Sequence, residues 1–128
     1  MVEVDSSLFP IIIFTTLPVE ISDKDVDEFL LSYENLLLNV TEKIIIIHDI
    51  NKSRFLTSDH MARIAKWSKE KKPLFTEKTI GNSIVSSSIL SNLIIKAIRL
   101  LLKSTFDSEI FPTMEAAMIW AKSKLAEK

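Results

Sequence analysis

Few side chains in this sequence are of a type that does chemistry, and they fall at three places. The first is His48-Asp49 with Asn51, directly after the isoleucine run Ile44–Ile47. A carboxylate at the end of a buried strand is the place of a phospho-acceptor, and an imidazole beside it is a metal donor. A phospho-acceptor also wants an acidic pair after the first strand, whereas the first apolar run ends Thr15-Thr16-Leu17-Pro18. A metal wants at least three converging donors. His48, Asp49, Asp59 and His60 have no recognised metal spacing, and adjacent strand residues point to opposite faces. Ordinary loop hydrogen bonding is therefore expected here rather than a metal, and Asp49 and Asn51, with Thr57 and Ser58, are the candidates for a phospho-loop or ligand loop.

The second place is Phe55-Leu56-Thr57-Ser58-Asp59-His60, a hydroxyl-rich helix start. Thr57 or Ser58 is the natural N-cap, because a side-chain oxygen there satisfies an unpaired amide of the first turn. An exposed hydroxyl at a helix amino terminus is also where a phosphate is electrostatically tolerated. The third is Ser86-Ser87-Ser88. No nucleophile elbow surrounds these serines, two histidines are the only imidazole bases, and nothing marks a carboxylate pair. No catalytic residues are expected.

Composition closes further routes. Gly81 is the only glycine, so neither a dinucleotide fingerprint nor a P-loop can be built, and no cofactor is expected. Cysteine is absent, which excludes a thiolate nucleophile, a disulfide framework and a cysteine-ligated zinc. The net charge of −1 gives no global field for nucleic acid or a membrane. Charge is nevertheless segregated. Residues 1–30 hold seven acids against Lys24, and residues 61–104 hold nine bases against Glu70 and Glu77. Solvated helix faces are one reading, and a basic face for an acidic partner or anionic headgroups is the other. The acidic amino terminus is unlike a secretory signal, and the apolar runs Ile11–Phe14 and Ile44–Ile47 are far too short to span a bilayer. A cytoplasmic protein is expected.

These residues must be positioned by alternating strands and helices. Phe9–Leu17 is β-branched and reads as a buried strand that Pro18 ends. Ser22 caps a helix whose apolar positions are Val26, Phe29, Leu30, Tyr33, Leu36, Leu37 and Val40. Lys43–Ile50 reads as a strand covered on both faces. A second helix runs from Thr57–Asp59 to about Lys71, burying Met61, Ile64, Ala65 and Trp67 or Ser68, and Pro73 stops it. Thr79–Ser87 is a third strand, Ser88–Ser104 a third helix and Phe106–Phe111 a short terminal strand. Thr113 caps a last helix, Met114–Ala126, whose alanines allow close packing. The order implies a single α/β domain over residues 1–128, with about four mainly parallel strands and four flanking helices.

The third helix carries the strongest interaction signal. Ser88, Asn92, Lys96, Arg99 and Lys103 form a narrow polar stripe, and the remainder, Ser91 apart, is aliphatic. A helix apolar over most of its circumference needs cover beyond one sheet face. Ile89, Leu90, Leu93, Ile94, Leu100 and Leu101 would be buried by neighbouring helices, a second subunit or a lipid or other apolar ligand. A homodimer through this helix is the expectation, with the apolar ligand as the alternative.

The strand Ile44–Ile50, the helix start Phe55-Leu-Thr-Ser and the closing Phe111-Pro-Thr-Met-Glu-Ala-Ala-Met-Ile-Trp120 together resemble the SpoIIAA-like branch of the STAS superfamily, over nearly the whole chain. The resemblance implies a non-catalytic domain that acts by binding. Its founding members, the anti-sigma factor antagonists, carry a phosphorylatable serine in an Asp-Ser-Ser-Gly turn, and Ser58 falls at that serine. Here Thr57, Asp59 and His60 replace the other three residues. Asp59 repels a phosphate and His60 stands where the turn has glycine, so the resemblance implies the scaffold more than the switch.

Overall fold

The chain opens with a strand that the sequence analysis did not anticipate. The valine–acid alternation Val2-Glu3-Val4-Asp5 has the period of a half-covered strand, and β1 (Val2–Leu8) pairs antiparallel with β2 (Ile11–Thr16). In the computed structural model, which describes residues 1–53, 57–87 and 107–127, the chain continues through α1 (Asp23–Asn39), β3 (Ile44–Asp49), α2 (Ser58–Glu70), α3 (Lys72–Lys78), β4 (Thr79–Val85), β5 (Asp107–Phe111) and α4 (Met114–Ala126). The sheet therefore has five strands rather than about four, in the order β1-β2-β3-β4-β5. All neighbours beyond the opening hairpin are parallel. The mainly parallel α/β domain is as expected, with one antiparallel edge added.

A second departure follows the second helix. Pro73 does not return the chain to a strand. It sits in the first turn of α3, where its missing N–H costs nothing because first-turn amides have no intrahelical acceptor. Phe75 of α3 is fully buried, and that anchor explains why the short helix persists. The expected burial of Met61, Ile64, Ala65 and Trp67 is only partial. His60 is the one buried residue of α2.

Ile44–Ile47 are fully buried and serve two cores, as a strand covered on both faces should. Ile44 and Ile46 join Ile12, Phe14, Tyr33, Leu37 and Phe75 on the side of α1 and α3. Ile45 and Ile47 join Ile11, Val85, Ala117 and Ala121 on the side of α4. Each such isoleucine contributes about 1.5–3 kcal/mol relative to exposure. The helices are held at their ends by caps. Ser22 accepts from the amide of Asp25, whose carboxylate accepts in return from the amide of Ser22. Thr113 caps α4 by accepting from the Ala116 amide. The expected helix over Ser88–Ser104, with Ile89, Leu90, Leu93, Ile94, Leu100 and Leu101, lies outside the described residues.

Some of the segregated charges meet at the surface between α1 and the α2 segment. Arg63 of α2 reaches Asp27 of α1 at 2.8 Å and Asp23 at 3.4 Å, and Lys71 reaches Glu34 at 2.7 Å. These pairs set part of the basic segment against the acidic helix, so those cations do not form a free basic face.

Candidate functional site

The carboxyl ends of β3 and β4 lie side by side because the two strands are parallel and Asp49 registers with Val85. In an open α/β sheet this is the edge where ligands usually sit. Asp49 accepts a hydrogen bond from the Asn51 amide at 3.0 Å, which folds the chain back after β3. The side-chain oxygen of Asn51 then accepts from both the amide and the hydroxyl of Ser87, at 2.8 and 3.2 Å. Asp49 and Asn51 thus form one unit that ties the β3 loop to the end of β4. The ladders run on past the strands, with the Ile50 amide donating to Val85 and the Ser86 amide to Phe111.

Thr57 and Ser58 belong to a different unit. Thr57 is the N-cap of α2 and accepts from the His60 amide at 3.1 Å, while His60 Nδ1 accepts from the Thr57 amide at 3.3 Å. Histidine here takes the reciprocal role usually held by Glu or Gln. His60 Nε2 lies 3.8 Å from Asp23, and Arg63 bridges to the same carboxylate. The amino ends of α1 and α2 are thereby joined. Ser58 opens α2 with its side chain exposed.

His48 has a partner that the sequence did not foretell. Its imidazole stacks on Phe14 at a centroid distance of 5.2 Å, and its Nε2 lies 3.1 Å from the Tyr33 hydroxyl. Tyr33 also packs on Trp67 and Phe75. Burial pushes the His48 imidazole down to about 4 and the Tyr33 phenol well above its ordinary range. Both are neutral near pH 7 and packed within an aromatic core. Among the described residues no group of three or more His, Cys, Asp or Glu side chains could hold a metal ion.

A concave surface lies elsewhere, between the free side of β1 and helix α1. Val2 and Val4 form one wall, Phe29 and Leu36 the other, and Phe14 and Tyr33 the floor of an open groove of about 590 Å³. Among the described residues its lining includes Asp25 and Glu28 and no Lys or Arg. The sequence held two signals for it, the alternation in Val2–Asp5 and an apolar stripe on α1 too broad for one sheet contact.

No family model matches the chain, and no curated protein matches it. Among solved structures, an uncharacterized protein of the DUF3478 family from Shewanella loihica PV-4, described as having a SpoIIAA-like fold, superimposes with a TM-score of 0.67 at 12% identity. The match covers 94% of this chain and 92% of that one.

Proposed function

From a SpoIIAA-like fold as premise, we propose that the chain is a non-enzymatic STAS-like regulatory or protein-interaction domain that works as a homodimer. The observation that carries the reading is the use made of polar groups at the carboxyl edge of the sheet. Asp49, Asn51 and Ser87 hydrogen-bond one another, and His48 is held neutral by Phe14 and Tyr33. Groups committed to holding loops are poorly placed for acid–base work, whereas a rigid edge with exposed loops is what a binding module requires.

The homodimer rests on the aliphatic character of residues 88–104, with Leu93, Ile94, Leu100 and Leu101 as its contact residues. The same character supports the second reading, a small apolar or lipid ligand held against that segment. Ser58 remains a candidate for phosphorylation through its exposed place at the start of α2. Light scattering on an eluting size-exclusion peak at tens of micromolar, followed by native mass spectrometry, separates the readings. Twice the chain mass is the expected result. A single chain with a retained apolar mass would support the ligand instead, and a bare single chain would remove both.

A further inference from the structure

The groove between β1 and α1 has a strand edge as its lip, and the backbone of that edge is oriented for pairing. The Leu17 amide donates to the Met1 carbonyl at 2.8 Å, while Val2 and Val4 register with Thr16 and Phe14. In an antiparallel ladder the hydrogen-bonded and non-bonded pairs alternate. Met1, Glu3 and Asp5 therefore direct their N–H and C=O groups to β2, and Val2 and Val4 direct theirs outward. The same two valines present side chains toward α1, on the face of Phe14, and Val4 is 54% exposed. Glu3 and Asp5 lie on the opposite face, where both are exposed.

We infer that this edge takes up an extended segment of a partner protein in which apolar residues alternate with Lys or Arg. A strand bonded to Val2 and Val4 would place its directly opposed side chains in the groove, against Phe29 and Leu36. Its intervening side chains would fall beside Glu3 and Asp5, and basic residues are the ones those carboxylates favour. Asp25 and Glu28 add negative charge along the groove. Lys24 lies 3.9 Å from Glu28, with both side chains largely in solvent, and offsets it only in part. A second copy of the chain fits less well, because two β1 edges together would oppose Glu3 and Asp5 of one copy to those of the other. The bulge between Asp5 and Leu8 confines regular pairing to the first four residues of β1, so the segment is short.

This inference rests on the interaction-module reading and is tested on a different face from residues 88–104. The probes are fluorescein-labelled heptapeptides of alternating Lys and Val, or alternating Glu and Val, titrated with the whole chain by fluorescence anisotropy. The basic peptide is expected to bind at least tenfold more tightly than the acidic one. Val4→Pro removes an outward amide without removing a β1–β2 bond and should weaken binding at least fivefold, with the mass by light scattering unchanged. The double variant Glu3→Lys with Asp5→Lys alters exposed side chains, with the loss of the Ser7 amide to Asp5 carboxylate hydrogen bond, and should reverse the preference, which keeps the test open if Val4→Pro does not fold. Equal binding of the two peptides, or basic-peptide binding that neither variant changes, would overturn the inference. Self-association abolished by Val4→Pro would overturn it in favour of a second copy. If the peptide binds while the wild-type chain is a monomer, the dimer claim fails and this one stands.

Discussion

His48 is the residue whose environment departs furthest from what its neighbours in sequence imply. It follows four isoleucines and precedes an aspartate, a setting that invites a metal or phosphoryl reading, yet its ring packs against both Phe14 and Tyr33. Tyr33 is fifteen positions upstream on a helix, and no local pattern announces that pairing. The energetic consequence has a definite sign. Folding lowers the imidazole from 6.5 to about 4, so below 6.5 the unfolded chain binds more protons than the folded one. Stability is then lost as pH falls from 6.5 toward 4, by at most about 3 kcal/mol, since the residue keeps some exposure at the strand end. Urea melts across that window should show the loss. His48→Gln should flatten the slope relative to wild type, and an unchanged slope would mean the ring titrates normally.

The helix ends were the most legible elements, because capping is a local chemistry written in adjacent residues. Ser22 and Thr113 cap where the sequence placed them, and Thr57 takes the cap that the sequence left between it and Ser58. At the start of α2 the hydroxyls of Thr57 and Ser58 are neighbours with unequal roles. Thr57→Ala removes the acceptor for the His60 amide and should cost about 1 kcal/mol, whereas exposed Ser58→Ala should change stability by about 0.5 kcal/mol or less. Chemical denaturation of the two variants side by side decides this, and equal losses would contradict the cap assignment. What was not legible was long-range. A strand of valines and acids gains its meaning only from β2 beside it, and α3 holds only because Phe75 finds the core formed by β2, β3 and α1. Of the candidate site, Asp49 and Asn51 were found as residues of the loop after β3. Ser87 as their partner, thirty-six positions from Asn51, was not.

At the scale of the whole molecule, the described residues form unlike layers on the two faces of the sheet. One carries α1, α2 and α3 with aromatic packing through Phe14, Phe29, Tyr33, Trp67 and Phe75. The other carries α4 through Ala117 and Ala121, both with no exposed surface. Alanine at those positions lets the α4 backbone approach β3 and β4, which leaves little room for a larger side chain. Ala121→Leu is expected to cost about 1–3 kcal/mol by overpacking, seen as a lower Tm, while Ile119→Leu on the exposed side of α4 should be neutral within about 0.5 kcal/mol. A neutral Ala121→Leu would mean that this layer is looser than the contacts imply. Among the described residues no helix is long and apolar enough to cross a membrane.

The opening hairpin also bears on the order in which the sheet can assemble. Pairing β1 with β2 closes a turn at Phe9-Pro10, whereas β2 cannot meet β3 until residues 17–43 have been looped between them. The longer loop carries an extra closure entropy of about 2 kcal/mol, which must be met before any parallel contact repays it. The cheapest strand pairing to nucleate is thus the one at the margin, and the parallel interior can be laid down against a hairpin already formed.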